Sequence, residues 1–152
     1  MKLAEALILR ADYQKRIEQV RQRIYQNAKL QEGDQPDEDP QGLLAQFESM
    51  LTALTKLIQQ INRTNSTTPF DATMMLSDAL ALRDELRLRH DTYRTLAQNA
   101  STRADRYSRT EIKVISSVNV AEIQQQADLT AQLHRELDTK LQALNWTTDL
   151  VE

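Results

Sequence analysis

The 152-residue chain contains no cysteine, only two glycines, three prolines and one tryptophan. Without cysteine it has no disulfide, no thiolate metal site and no cysteine nucleophile. So few turn-formers leave too little punctuation for a many-stranded β protein. No run approaches the roughly 18 apolar residues of a membrane span. The opening "MKLAEALILRADYQKR" starts like a secretory signal, but Glu5 interrupts its apolar stretch and a charged amphipathic pattern follows, so it reads as mature protein. A cytoplasmic chain is expected. In that setting the four N-x-Ser/Thr sequons, at Asn62, Asn65, Asn99 and Asn145, carry no weight.

The chemical motifs that are missing narrow the function further. Gly33 and Gly42 stand nine residues apart, too few and too far apart for a phosphate-cradling loop. The only histidines are His90 and His134, and the residues three before them are Arg87 and Ala131, so a bundle-type Glu-x-x-His metal site is not formed. His134 falls on an apolar stripe and reads as a packed, hydrogen-bonded imidazole. No cofactor and no metal are expected.

Helix dominates what remains, and the expected fold is all-α, one domain spanning residues 1–152. Tyr13, Ile17, Val20 and Ile24 make one stripe of a first helix over about 2–30, continued by the polar Arg10 and Asn27, which suit register-setting positions. An exposed acidic loop, 31–40, follows. A second helix over about 41–64 carries Leu43, Phe47, Met50, Leu54, Leu57 and Ile61, with Leu44, Leu51 and Ile58 as a flanking row. Such a broad face can touch two neighbouring helices. "NRTNSTTPFDAT" reads as its end.

A third helix over about 74–99 shows Met75, Ala79, Leu82, Leu86, Tyr93 and Leu96 as its stripe, with Arg89 in the remaining place and Arg83, Arg87 and Arg94 on its flank. A fourth, about 119–145, is capped by Asn119 and carries Ile123, Ala127, Thr130, His134, Leu137, Leu141 and Leu144, supported by Leu129 and Leu133. Trp146 could close the end of a bundle. The two helix pairs, 1–64 and 74–145, share a layout. Four long helices as an elongated bundle or as paired hairpins are expected, with apolar surface left for self-association.

Charge alternates along the chain. Residues 1–30 hold seven Lys/Arg against three acids, 31–82 two against eight, 83–113 eight against five and 114–152 two against six. That pattern suits antiparallel neighbours and argues against a surface that binds polyanions as a whole. Nucleic acid could therefore bind only at a local patch and is not an expected partner; nor is a membrane, given the absence of a long apolar run.

Two polar groups remain as candidate sites. In the connector 100–118, Arg103, Arg106 and Arg109 recur every third residue beside Tyr107 and Ser108, a set that could grip a small phosphate or carboxylate. Ser108 and Glu111 also match a capping box, and "IKVISSV" at 112–118 reads as a short extended segment that could pair with a symmetry mate. The second group, Asn62, Arg63 and Asn65, either satisfies terminal helix carbonyls or joins a site.

Taken together, "KLAEALILRADYQKRIEQ" at the start, "INRTN" at 61–65, "DRYSRTEIK" at 105–113 and "LNWTTDL" at 144–150 resemble the septicolysin-like family of uncharacterised bacterial helical proteins. The resemblance implies a cytolysin and supplies no catalytic residues. The residues themselves favour a non-enzymatic, homo-oligomeric helical interaction protein, with anion binding or anion-directed enzymology as the alternative.

Overall fold

In the computed structural model, which describes residues 1–101 and 112–152, four helices form two antiparallel hairpins: α1 Leu3–Gln26 with α2 Pro40–Thr67, and α3 Leu76–Ala100 with α4 Val120–Thr147. Among the described residues there is no strand, and within the single chain residues 112–118 are irregular backbone. Of the two architectures expected, an elongated bundle or paired hairpins, the four helices form paired hairpins.

Local chemistry sets each helix start. Glu5 accepts from the Lys2 amide at 2.7 Å and Asp78 from the Met75 amide at 2.9 Å, each satisfying a donor that the first helical turn cannot. Asp39 accepts from the Gln41 and Gly42 amides ahead of α2, whose first residue is Pro40, and Asn119 accepts from Glu122.

Two ends differ from the sequence reading. α1 stops at Gln26 because Asn27 takes its Arg23 carbonyl as a side-chain acceptor and accepts the Glu38 amide in return, folding the acidic loop back with help from the Arg23–Glu38 ion pair. α2 runs through "NRTNST" to Thr67. Thr64, Ser66 and Thr67 donate their hydroxyls to carbonyls one turn back, so the residues expected to break the helix instead stay within it.

The hairpins join at one end. Leu3 and Ala6 of α1, Leu57 and Ile61 of α2, Leu76 and Ala79 of α3 and Leu141 of α4 form a single buried cluster. Beyond it, a second cluster of Ile17, Val20, Met50 and Leu54 belongs to α1 and α2 alone. The joined end is tied by backbone as well: the Leu3 amide donates to the Thr148 carbonyl and the Leu150 amide to the Met1 carbonyl, both at 2.9 Å. The buried Thr64 hydroxyl accepts the Val151 amide while donating to Gln60, so the segment after α4 is stitched to α2. Trp146 stays exposed and does not close this end; Leu3, Leu76 and Leu141 occupy it instead.

The turn between hairpins is organised by Asp71, which accepts from the Thr73 amide, the Thr73 hydroxyl and the Met74 amide at 2.7, 2.7 and 3.0 Å. The hydrogen bond from the Thr73 amide is the main reason its proton affinity is depressed. Hydrogen bonds from Arg23 and Lys2 depress Glu38 and Asp149 in the same sense.

Carboxylates depressed in the folded state supply stability above their unfolded values, near ~4, and lose it as pH falls through the folded values. The urea midpoint should therefore drop on acidification below ~4, and less steeply in Asp71→Asn. A midpoint that holds or rises there would contradict this account. In the joined core, Leu76→Ala should cost about 3 kcal/mol by urea titration, whereas Leu88→Ala on the exposed side of α3 should stay within about 0.5 kcal/mol.

Candidate functional site

The seam between α3 and α4 is where the structure departs most from the sequence pattern. Two hydrogen bonds fix its register: Arg83 to Asp138 at 3.2 Å and His90 Nδ1 with the Ala127 carbonyl at 3.0 Å. In that register Leu76, Ala79, Leu86 and Ala97 are buried, with Arg83, His90 and Tyr93 half-buried between them. These positions repeat at three and four residues and keep Ala79, Leu86 and Tyr93 of the expected stripe, while Leu76, Arg83, His90 and Ala97 stand where Met75, Leu82, Arg89 and Leu96 were expected. Met75 is the residue ahead of the helix, Arg89 is exposed and paired with Glu85, and Leu96 is exposed.

Both registers satisfy helical periodicity, and the more apolar one loses. The reason lies on α4. Its seam residues Ala127, Thr130, His134, Leu137 and Leu141 offer a carbonyl and, beside them, the Asp138 carboxylate, partners that Arg83 and His90 can use and leucines cannot. Thr130 is buried and satisfied by the Gln126 and Ala127 carbonyls. His134 is half-buried, but its Nε2, like the Nε atoms of Arg10 and Arg83, has no hydrogen-bond partner, contrary to the bonded imidazole expected.

The displaced apolar residues line one edge of the hairpin. In an antiparallel helix pair, residues just before one set of seam positions share an edge on both helices. Here these are Leu82, Arg89 and Leu96 on α3 and Gln126, Leu133 and Lys140 on α4, with Leu129 one turn from Leu133. Leu96, Leu129 and Leu133 are 37%, 48% and 42% exposed. Shallow depressions of about 250 and 450 Å³ flank the row on α3, the first lined by Glu85, Arg89, Thr92 and Tyr93 among others, the second by Thr95, Leu96 and Asn99. Of this edge only the α3 row, Leu82, Arg89 and Leu96, belongs to the stripe expected to face the interior.

Of the candidate anion residues, Arg103, Arg106, Tyr107, Ser108 and Arg109 lie outside the described residues, as does Glu111 of the capping-box spacing. The second polar group is not brought together as a site. Arg63 donates to the Glu152 carbonyl, Asn62 is exposed and Asn65 is half-buried. Among the described residues no group of three His, Cys, Asp or Glu could hold a metal ion, and no helix is long and apolar enough to cross a membrane.

The architecture is thus that of an all-α protein of two joined hairpins, with Leu96, Leu129 and Leu133 uncovered along one edge of α3 and α4. The chain belongs to a family of unknown function, DUF6847, whose model matches residues 10–150. It is similar to a solved structure described as a functionally unknown conserved protein from Corynebacterium diphtheriae, with 44% identity, 99% of each chain covered and a TM-score of 0.94. Comparison with curated proteins finds no match. These findings correct the septicolysin-like resemblance: the family that spans the chain is DUF6847, nothing points to septicolysins, and the cytolytic activity implied by that resemblance goes with it.

If the Arg83–Asp138 contact sets the register, the two side chains should be energetically coupled. A double-mutant cycle with Arg83→Met and Asp138→Asn, read by urea unfolding, should give a coupling of about 1 kcal/mol. Strict additivity would mean that the contact does not set it.

Proposed function

We propose that this chain is a non-enzymatic, homo-oligomeric helical interaction protein of the cytoplasm, in which long helices pack within and between subunits. Cofactors, nucleic acid and membranes play no part in this reading. The observation that carries it is the set of leucines that the chain's own packing leaves uncovered: Leu44 and Leu51 on α2, Leu88 and Leu96 on α3, and Leu129 and Leu133 on α4. Scattered apolar residues are ordinary on a protein surface, but these recur along helices at spacings of four, seven or eight, so each pair stays on one side of its helix. Such rows suit a helical neighbour.

The arrangement of polar groups supports the same reading. Ion pairs such as Arg21–Glu18, Arg89–Glu85 and Arg83–Asp138 neutralise cations locally, which lowers the attraction of the surface for a polyanion. Light scattering coupled to size-exclusion chromatography is the direct test. At micromolar concentration the mass should be at least twice the 17.5 kDa of one chain. A monomer throughout the micromolar range would end this reading.

A further inference from the structure

We propose that a second copy of this chain docks on the edge of the α3/α4 hairpin formed by Leu82, Leu96, Leu129 and Leu133, through the same edge of its own. This inference rests on the oligomeric reading and names its surface.

Three observations carry it. First, the edge is the apolar stripe displaced from the seam when Arg83 and His90 took the interior register. Leu82, Arg89 and Leu96 are spaced by seven residues, the repeat that keeps a row in contact with a partner helix over several turns. On the 25-residue α3 this row runs over about 21 Å, from Leu82 to Leu96. A rod-like partner fits such a row better than a small ligand does, and the depressions beside it are shallow and formed by α3 alone.

Second, the exposed area is of the size that a dimer uses. Leu96, Leu129 and Leu133, at 37%, 48% and 42% exposed, leave roughly 200 Å² of leucine surface per copy. A standard interface takes about 800 Å² from each partner, a little over half of it apolar, so three side chains supply close to half of the apolar part. Leu82, Tyr93 and the stem of Arg89 lie on or beside the same row and add to it.

Third, the charges on the edge are self-complementary. Arg89 and Lys140 lie in the edge rows, with Glu85 and Glu136 beside them, so each copy offers two cations and two acids. A two-fold contact requires the same patch to face itself, which a patch of one sign could not do without repulsion. Within one copy Glu85 already holds Arg89 at 2.7 Å, and across a two-fold axis the pair can close into a four-charge network. Two hairpins joined in this way make an intermolecular four-helix bundle, in which each two-helix layer gains the second layer that its core lacks beyond the joined end.

The test combines light scattering with far-UV circular dichroism on the full chain. Leu96→Glu with Leu133→Glu should keep its helicity and raise the dimer dissociation constant at least 100-fold. Leu44→Glu with Leu51→Glu, on α2, should leave it within about threefold. If the glutamate pair fails to fold, Leu96→Ala with Leu133→Ala removes the contact without introducing charge and should weaken association at least tenfold. A wild-type oligomer that survives the edge variants, or that the α2 variants dissociate, would overturn this surface and leave the oligomeric reading standing. A monomeric wild type would overturn both.

Discussion

The register in which α3 lies against α4 is the constraint from which the rest follows. Two polar contacts hold it, the Arg83–Asp138 pair and the hydrogen bond between His90 and the Ala127 carbonyl. Rotating α3 to the alternative register would turn Leu96 and Arg89 inward, bury the half-buried Leu82 further and expose Arg83 and His90. The gain in apolar burial would be partly offset by freeing Asp138 and the Ala127 carbonyl from their partners. Polar seam residues are a known means of specifying which of several helical registers is adopted. Here they also decide which surface is left for others, because every leucine excluded from the seam must sit on an edge.

The two hairpins use their interiors differently. Between α1 and α2 the seam is Ile17, Val20, Met50 and Leu54, a conventional apolar contact that stabilises the pair by itself. Between α3 and α4 the leucines Leu76, Leu86, Leu137 and Leu141 are interspersed with small, polar and aromatic residues: Ala79, Arg83, His90, Tyr93, Ala97, Thr130 and His134. Leu88, Leu96, Leu129 and Leu133 of the second hairpin lie outside this seam. The joined end compensates, since Leu76, Ala79 and Leu141 are fully buried there with residues of α1 and α2. The turn built by Asp71 and the backbone pairing of Met1–Leu3 with Thr148–Leu150 hold that end together.

Most of the fold was legible in the sequence because long amphipathic helices announce themselves through periodicity, and Asn119 was legible as a cap. The helix ends were less so. Asn, Ser and Thr serve turns and helix termini alike, and at 62–67 their hydroxyls returned to the helix's own carbonyls. On α3 the row Ala79, Leu86 and Tyr93 was legible, and the row beside it was misread for a related reason. Either Leu82, Arg89 and Leu96 or Arg83, His90 and Ala97 completes the period with it, and only the partners on α4, far away in sequence, distinguish the two. The exposure of Trp146 and the unpartnered Nε2 of His134 likewise depend on neighbours that a linear pattern does not display. As for the candidate site, the residues of the edge were all visible, but their destination was not. The arginine cluster at 103–109 lies outside the described residues, and of the Asn62, Arg63 and Asn65 group only Arg63 has a defined side-chain partner, the Glu152 carbonyl.

The central claim is that the stripe displaced from the α3/α4 seam is covered by the same stripe of another copy. Because the chain has no cysteine, a single nitroxide can be placed on that edge through Gln126→Cys and the distance between copies read by double electron–electron resonance. Two hairpins packed edge to edge predict one narrow distance of about 20–30 Å, given interaxial spacings of about 8–10 Å. A signal that decays as a uniform background, with no defined distance between copies, would contradict the account.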